Sequence, residues 1–224
     1  MNIAENILQI KKELPESVRL VVVSKLHSGL MIMEAYNAGQ RIFGESRVQE
    51  LLSKRELLPK DIEWHFIGHL QVNKVKYIVP FIHTIQSVDS LKLLEYINKE
   101  AAKLGRTVHV LLQVHIAEEK HKFGFYFEEL ISVFEKIQAK SFPYICFSGL
   151  MGMATLTKSD AQISGEFSKL NDFFKKVKAD YFAANNDFNT LSMGMSEDYQ
   201  LAIGKGSTMV RIGSKIFGTH YLKF

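Results

Sequence analysis

Apolar, strand-like runs alternate with helical patterns along this chain, and that alternation limits the possible folds more than any other feature. Eight runs have strand character: residues 19–25, 41–46, 63–69, 84–89, 109–116, 144–153, 188–194 and 208–218. Strands separated by single helices are expected to be parallel, because a parallel return needs a crossover. The runs are almost continuously apolar, which indicates that both faces of the sheet are covered.

The segments between the runs carry apolar residues at spacings of three and four, as amphipathic helices do. The clearest helix follows Asp89-Ser90 and stops at Gly105. Its apolar face is predicted to comprise Leu94, Ile97, Ala101 and Leu104. Two further predicted faces comprise Leu130, Val133, Phe134 and Ile137, and Ile163, Phe167, Leu170, Phe174 and Val177.

Eight strands in 224 residues predict an α/β fold, a single (β/α)8 TIM-type barrel at the short end of its size range. A doubly wound open sheet is the alternative. It usually carries a G-x-G-x-x-G turn after its first strand, and VVVSKLHSG (21–29) has none. The sequence shows no linker, low-complexity run or internal repeat, so we predict one domain over residues 1–224.

The composition excludes several classes of protein. No run of about 18 apolar residues is present, so no membrane span is expected. The N-terminal segment carries Glu5 and no continuous apolar stretch, which favours an amphipathic helix over a signal peptide. Cys146 is the single cysteine, so an internal disulfide is excluded and a reducing cytoplasmic location is expected. We interpret Cys146, in YICFSGL, as a small buried residue rather than a nucleophile.

The formal net charge of +4 is evenly spread. The densest cluster, KKVK at 175–178, lies on a helical pattern without interleaved aromatic residues, so we interpret it as a solvated face and expect no nucleic-acid partner. The sign of the charge favours small anionic ligands. No exposed heptad or long edge strand indicates assembly, and a monomer is expected.

Polar residues gather where the predicted strands end, and in a (β/α)8 barrel the carboxyl ends of the strands form the functional site. The polar residues are Lys25, Glu45, Ser46, His65, His69, Ser87, Asp89, Ser192, Ser196, Arg211 and Ser214, and Gly68, Met151, Gly152, Gly194 and Gly213 lie at the same strand ends. Two of them also have structural interpretations: Asp89 as a helix N-cap, and His65 as a hydrogen-bonded interior histidine rather than a general base. Their shared position predicts a site at this rim.

The last strand carries the most specific local pattern. GSTMVRIGSKIFG (206–218) places Gly213-Ser214 after strand residues and before a short turn. Backbone N–H groups in such a turn bind phosphate, and phosphate sites after strands seven and eight recur in this fold. The hydroxyl of Ser196 and a helix predicted to open at Glu197-Asp198 would complete the site. Alternatively, Ser196 is that helix's N-cap, a role compatible with phosphate binding.

Lys25 ends an apolar strand, although lysine is a poor strand residue and is rarely buried. We expect it to be buried or half-buried beside Arg211, since desolvation and nearby cations favour the free amine form of a lysine. A free amine condenses with an aldehyde, and an aldehyde that carries a phosphate is pyridoxal 5′-phosphate (PLP). The residues alone leave a second interpretation open, a barrel enzyme that acts on a sugar phosphate.

Six ordered motifs resemble the pyridoxal phosphate homeostasis protein family, also called the YggS or PROSC type. They are VVVSK, FGESRVQE, WHFIGHLQVNK, SVDS, SGLMGMAT and LSMGMSEDYQLAIGKGSTMVRIGSKIFG, and they span about residues 19–218. The resemblance implies a barrel of the alanine racemase N-terminal type (fold type III), with PLP held as a Schiff base on Lys25. It implies that the phosphate contacts Ser196, Gly213 and Ser214, and that Arg211 faces the pyridine nitrogen.

The resemblance also implies that His65 and Asn73-Lys74 line the pocket mouth, and that Met193, Gly194 and Met195 form the wall under the ring. Two segments depart from the family pattern. Ser46 stands where the family has asparagine and Arg47 where it has an aromatic residue, so this loop offers the cofactor a hydroxyl in place of an amide. The tail IFGTHYLKF is one residue shorter than usual and lacks an arginine, which shifts Tyr221 relative to its counterpart.

A racemase needs acid–base groups on both faces of the cofactor. In alanine racemase the second base comes from a C-terminal domain, which this sequence is expected to lack. Arginine stays protonated in proteins, so Arg211 would disfavour a protonated pyridine ring and slow carbanion chemistry. We therefore expect a PLP-binding homeostasis protein without turnover of its own, with PLP-dependent apo-enzymes as candidate partners. A weak PLP-dependent amino acid racemase is the alternative.

Overall fold

Eight parallel strands close into a barrel in this computed structural model, which describes residues 2–119 and 123–218. Each strand pairs with the next in the chain, and the last pairs with the first. The strands are β1 (Arg19–Val23), β2 (Ile42–Glu45), β3 (Glu63–Phe66), β4 (Thr84–Val88), β5 (Val108–Val114), β6 (Ile145–Gly152), β7 (Thr190–Ser192) and β8 (Met209–Ile212). The predicted barrel is confirmed, and the open sheet is excluded.

Helices precede β1 and follow each strand, as crossovers between parallel strands require. They are α1 (Ile3–Glu13), α2 (Gly29–Asn37), α3 (Val48–Leu57), α4 (Val75–Ile78), α5 (Leu91–Lys103), α6 (Phe127–Ala139), α7 (Asp160–Tyr181), α8 (Tyr199–Gly204) and α9 (Ser214–Phe217). A short 3-10 helix, Val72–Lys74, leads into α4. The amphipathic helix predicted at the N-terminus is confirmed as α1, which buries Ile3, Ile7 and Ile10.

The predicted apolar faces of α6 and α7 are buried as expected. The face of α5 differs at its end. Leu104, predicted to be on that face, is the C-cap and is 52% exposed. The helix has already ended at Lys103, so the periodic pattern no longer sets the direction of the next side chain.

The predicted strand over 208–218 is only partly correct. β8 ends at Ile212, Gly213 is the N-cap of α9, and the last apolar residues of the run, Ile216 and Phe217, are buried on that helix. A short apolar run has no periodicity that separates a strand from a single helical turn. β1 is likewise shorter than predicted and ends at Val23.

The outer surface agrees with the composition. Lys175 and Lys176 of the basic cluster are exposed on α7, as predicted for a solvated face. Cys146, predicted to be buried, is half-buried in β6, and burial raises the pKa of its thiol. Among the described residues, no helix is long and apolar enough to span a membrane.

All eight described strands run in the same direction, so their carboxyl ends meet at one rim of the barrel. We call this rim the C-terminal rim and the opposite opening the N-terminal end. In this fold, functional groups gather at the C-terminal rim.

Candidate functional site

Lys25 lies at the C-terminal rim, in the turn that follows β1. Ser24 is fully buried, and Lys25 is the first exposed residue after the strand. The expectation of a buried or half-buried lysine is therefore wrong. The strand ends two residues earlier than predicted, so Lys25 belongs to a surface turn, where its amine is accessible to a ligand from solvent.

A buried cation anchors the backbone just before Lys25. Nζ of Lys54, on α3, donates to the carbonyl oxygen of Ser24 at 2.7 Å and to Oε1 of Glu45 at 2.7 Å. The Ser24 hydroxyl donates to the same Glu45 oxygen at 2.6 Å. Burial raises the pKa of Glu45, while the hydrogen bonds from Lys54 and Ser24 act in the opposite direction. The end of β1 is thereby tied to β2 and α3.

The same group of side chains anchors the backbone just after Lys25. Oε1 of Glu50 accepts from Lys54 at 2.6 Å and from the backbone N–H of Leu26 at 2.6 Å. Leu26 has a φ of 66°, in the left-handed region that non-glycine residues rarely adopt. Both neighbours of Lys25 are thus bonded to one ionic network, which fixes the turn that carries the amine.

The turn after β8 lies beside the end of β1. Val22 pairs with Ile212 in the barrel, so the segments that carry Lys25 and Ser214 leave adjacent strands at the same rim. A Cβ added at Gly213 would lie 3.0 Å from the carbonyl oxygen of Val23. The backbone therefore approaches β1 closely, and a larger residue at position 213 would make the turn or Val23 shift by a few tenths of an ångström.

Ser196 reaches this turn from the loop after β7. Its side chain is almost fully buried, and its Oγ accepts from the N–H of Gly213 at 3.3 Å. The alternative role as a helix N-cap is wrong, because α8 begins at Tyr199 and its N-cap is Asp198. The Asp198 carboxylate accepts from the N–H of Met195 at 2.6 Å, which places Ser196 inside the loop.

Arg211 points into the barrel and is 3% exposed. Its Nη1 donates to the carbonyl oxygen of Ser192 at 3.0 Å and to its hydroxyl at 2.7 Å, and its Nη2 donates to the carbonyl oxygen of Gly152 at 3.0 Å. Burial lowers the pKa of Arg211 to about 10, and the Asp198 carboxylate acts against that shift. The guanidinium therefore stays charged at neutral pH.

Comparisons with known proteins agree with this geometry. The family model for the alanine racemase N-terminal domain matches residues 1–221. The pyridoxal phosphate homeostasis protein of Haemophilus influenzae is 34% identical over 231 residues, which cover 97% of this chain and 96% of that protein. That of Mus musculus is 39% identical over 228 residues, which cover 96% and 82%. This chain belongs to the pyridoxal phosphate homeostasis protein family. The resemblance of the motifs is confirmed.

Solved structures extend the comparison for this pyridoxal phosphate homeostasis family member. PipY of Synechococcus elongatus, without PLP, is 36% identical, with a TM-score of 0.91, and the match covers 96% of this chain and 100% of PipY. The structure of PipY with PLP bound matches with a TM-score of 0.87. An alanine racemase of Clostridium difficile, at 17% identity and a TM-score of 0.74, matches over 99% of this chain and 57% of its own, and shows the shared fold alone.

Several residues named by the family resemblance lie elsewhere on the same rim. Ser46 follows β2, is half-buried, and lines a cavity of about 220 Å³ together with Lys74 and His69. A Cβ at Gly68 would lie 2.3 Å from the Ser46 carbonyl oxygen, so these two loops are in close contact. Met193 is fully buried in the hydrophobic core, so it can support a ring only by packing beneath the loop.

Two interpretations of rim residues change. Asp89 is not the N-cap of α5, because the Ser90 side chain accepts the N–H of Leu93 in that role. Instead, Oδ2 of Asp89 lies 2.8 Å from Nδ1 of His69. Tyr221, in the shortened tail, lies outside the described residues.

His65 lies in the barrel interior rather than at the pocket mouth. It is fully buried, and its Nδ1 is 2.8 Å from Nε2 of Gln86. Its ring is parallel to that of His83, which precedes β4 and so belongs to the N-terminal end. The prediction of a hydrogen-bonded interior histidine is confirmed, whereas the predicted place at the mouth is wrong.

The sequence did not indicate the buried residues whose hydrogen bonds hold the rim residues in place. Glu50 and Lys54 have the spacing of an ordinary exposed ion pair on a helix, and only the close packing of α3 against β2 buries Lys54. Gln86 lies within an apolar strand, and its side chain accepts from the Ser192 hydroxyl at 2.7 Å. An amide side chain within an apolar strand predicts a polar contact in the barrel interior, but the sequence does not show which residue makes that contact.

Proposed function

We propose that this chain binds PLP covalently through Lys25 and takes part in intracellular PLP homeostasis without significant turnover of its own. The observation that carries the proposal is the position of Lys25, exposed at the C-terminal rim beside the Gly213-Ser214 turn. The same fold binds PLP in a relative, because PipY has been solved with PLP bound. When bound, PLP supplies an aldehyde that bonds reversibly to primary amines.

The residues at the rim fit the cofactor's parts. We infer an anion-binding turn in which the Ser196 hydroxyl, which accepts from the Gly213 N–H, and the N–H of Ser214 at the start of α9 face the phosphate. The absence of a Cβ at Gly213 lets this turn stay close to Val23 at the end of β1, and Ser46 offers a hydroxyl from the loop after β2. We assign phosphate contacts to Ser196, Gly213 and Ser214. His65 and Met193 act only through buried contacts.

Arg211 favours a holding role over catalysis. It is the residue that would meet the pyridine nitrogen, and three hydrogen bonds fix it in its charged state. A guanidinium at that nitrogen disfavours a second positive charge on the ring, and the ring then draws electrons less strongly. The alternative, a weak amino acid racemase, is supported only by the fold shared with distant racemases.

We propose that residues 1–224 act as one PLP-binding unit, as a monomer, and that PLP-dependent apo-enzymes receive the cofactor from it. The single cysteine supports a reducing cytoplasmic location. Transfer tests this proposal. The PLP-loaded, desalted protein should restore activity to a PLP-dependent apo-enzyme, whereas a Lys25→Ala protein that is loaded and desalted in the same way should restore none.

Turnover separates a carrier from a racemase. We expect no deuterium at the α-carbon when the PLP-loaded protein is incubated with L-alanine in D₂O and followed by proton NMR, with an alanine racemase as the positive control. Exchange at about 1 s⁻¹, which is low for an enzyme, would overturn the carrier assignment.

A further inference from the structure

A group of histidines lies at the N-terminal end of the barrel, opposite Lys25. It borders a cavity of about 290 Å³ whose lining includes Arg19, Glu63, His83, His109 and Asp187. Arg19 and Glu63 begin their strands, and His83 immediately precedes β4. The proposed PLP site uses none of these residues, because it lies at the other rim.

Two of these side chains, Glu63 and His83, lie close enough to the buried His65 for the three to share one ion. One ligand atom from each of Glu63, His65 and His83 lies within 4.8 Å of the other two. For His65 the available atom is Nε2, because Nδ1 is bonded to Gln86. For His83 it is also Nε2, because its Nδ1 lies 2.8 Å from the hydroxyl of Thr84.

The second observation is an orphaned atom. His65 is fully buried, and its Nε2 has no hydrogen-bond partner among the residues that the structure describes. A buried polar atom without a partner is costly, so native interiors satisfy nearly all of them. Glu63 and His83 each bring a ligand atom within 4.8 Å of a ring nitrogen of His65, so an ion beside His65 Nε2 would lie near both.

We propose that Glu63, His65 and His83 bind a divalent transition-metal ion, with Zn²⁺ as the best match. Two imidazoles and one carboxylate are a known three-ligand set for zinc, and the fourth position is then open to water or to an added ligand. Glu63 and His83 also line the cavity, so water or an added ligand can reach the proposed ion from it.

The protonation states suit this role. Metal-binding imidazoles must be neutral, and burial lowers the pKa of both His65 and His83. A ligating histidine usually donates its second N–H to a nearby oxygen. A half-turn of the Gln86 amide brings its Oε1 to Nδ1 of His65 and its Nε2 to the Ser192 hydroxyl, so Gln86 can serve as that acceptor.

Arg19 competes with the proposed ion for the Glu63 carboxylate, so substitution of Arg19 tests the ligand assignment. Its Nη2 donates to Glu63 Oε2 at 3.0 Å, so the arginine both occupies the carboxylate and repels a cation. The Arg19 side chain is 47% exposed and can leave toward solvent. The rings of His65 and His83 are stacked, with centroids 5.7 Å apart and planes that differ by 4°. The half-buried His83 must therefore turn about its soft χ2 torsion to share an ion, and this turn gives up its contact with the Thr84 hydroxyl.

The test is metal titration of the full chain after treatment with a chelator. We expect one Zn²⁺ per chain by calorimetry, and Co²⁺ should give the intense visible absorption of a four-coordinate site. His83→Gln and Glu63→Gln should each weaken Zn²⁺ binding at least tenfold, because each substitution removes one of the three ligands. Both residues are only half-buried, so both variants should fold. His69→Gln, at the opposite rim, is the matched control and should bind normally.

Arg19→Gln is the informative second variant, and it should bind the metal more tightly than the wild-type chain. The proposal is overturned if chelator-treated protein binds no stoichiometric Zn²⁺ or Co²⁺, or if His83→Gln binds as tightly as the His69→Gln control. Weaker binding by Arg19→Gln would likewise contradict the ligand assignment, because Arg19 competes for Glu63. Circular dichroism of each variant checks that the barrel is intact.

Discussion

At the residue scale, the proposed site depends on a close backbone approach that a single methyl group would disturb. Gly213→Ala would place a Cβ 3.0 Å from the Val23 carbonyl oxygen, and overpacking of this kind costs about 1–3 kcal/mol. We expect the turn to move away from β1 and the proposed phosphate contacts to move with it, so PLP affinity, measured by absorbance titration, should fall by at most about a hundredfold.

Gly165→Ala is the matched control for this substitution. Gly165 lies within α7 with open space around the added Cβ, so the change should stabilise the helix by about 1 kcal/mol and leave PLP affinity unchanged. Equal affinity in the two variants would show that the close approach at Gly213 has no part in binding.

The contribution of Glu45 to the stability of the folded chain should depend on pH. Burial raises its pKa above the ordinary value of 4.5, so the folded state holds this proton longer than the unfolded state does. Its contribution to stability is therefore greatest below pH 4.5 and declines as the pH rises through the raised value.

Urea unfolding of the wild-type chain and of Glu45→Gln isolates this effect, because the variant lacks the titrating group. The free energy of unfolding of the wild type, minus that of the variant, should fall as the pH rises from 4.5 toward neutrality. A difference that stays constant or increases over this range would contradict a raised pKa.

The sequence could identify Lys25 but not its surroundings. A lysine at the end of an apolar strand is visible in the motif VVVSK, whereas its exposure depends on where hydrogen bonding in β1 stops. The positive φ of Leu26 is equally invisible in the sequence, and the partner of its backbone N–H, the Glu50 carboxylate, lies 24 residues further along the chain. Local sequence does not encode contacts of this separation.

At the scale of elements, α3 acts as a support for the β1 turn, and Lys54 is the link. Lys54→Met would leave the Glu45 carboxyl without its buried cation and free the Ser24 carbonyl. Breaking a buried ion pair costs about 3 kcal/mol, so the free energy of unfolding should fall by about that amount. The fixed turn would also be lost, and PLP should load onto Lys25 more slowly.

Lys176→Met, on the exposed face of α7, is the control for loss of a lysine charge. It should change the free energy of unfolding by less than about 0.5 kcal/mol and leave the loading rate unchanged. Stopped-flow absorbance after mixing with PLP measures that rate. If a folded Lys54→Met protein loads PLP at the wild-type rate, α3 does not support the turn that carries Lys25.

Long elements were predictable and short ones were not. α7 has enough turns for its apolar spacing to be unambiguous, and its predicted face is buried. α9 has only four residues, Ser214–Phe217, and its apolar residues are equally consistent with a continuation of β8. α8 begins at Tyr199 with Asp198 as its N-cap residue, and the Asp198 carboxylate accepts from the N–H of Met195. The sequence alone does not decide between Ser196 and Asp198 for the N-cap position.

At the scale of the whole molecule, the barrel was predictable because it follows from the order of all elements rather than from any one boundary. Its interior was not. A chain of hydrogen bonds runs from His65 through Gln86 and Ser192 to Arg211, with distances of 2.8, 2.7 and 2.7 Å. It joins the N-terminal end to the proposed PLP site, and only barrel closure brings these strands together.

Borohydride reduction shows whether Lys25 forms the proposed bond to PLP. Reduction of the PLP-loaded protein makes the bond to an amine permanent, and peptide mass spectrometry then locates it. We predict a single pyridoxyl group on Lys25, and loss of both the group and the visible PLP absorbance in Lys25→Ala, with Lys205→Ala unchanged. A reduced protein with no adduct on Lys25, or an adduct that persists elsewhere at full yield in Lys25→Ala, would contradict the account.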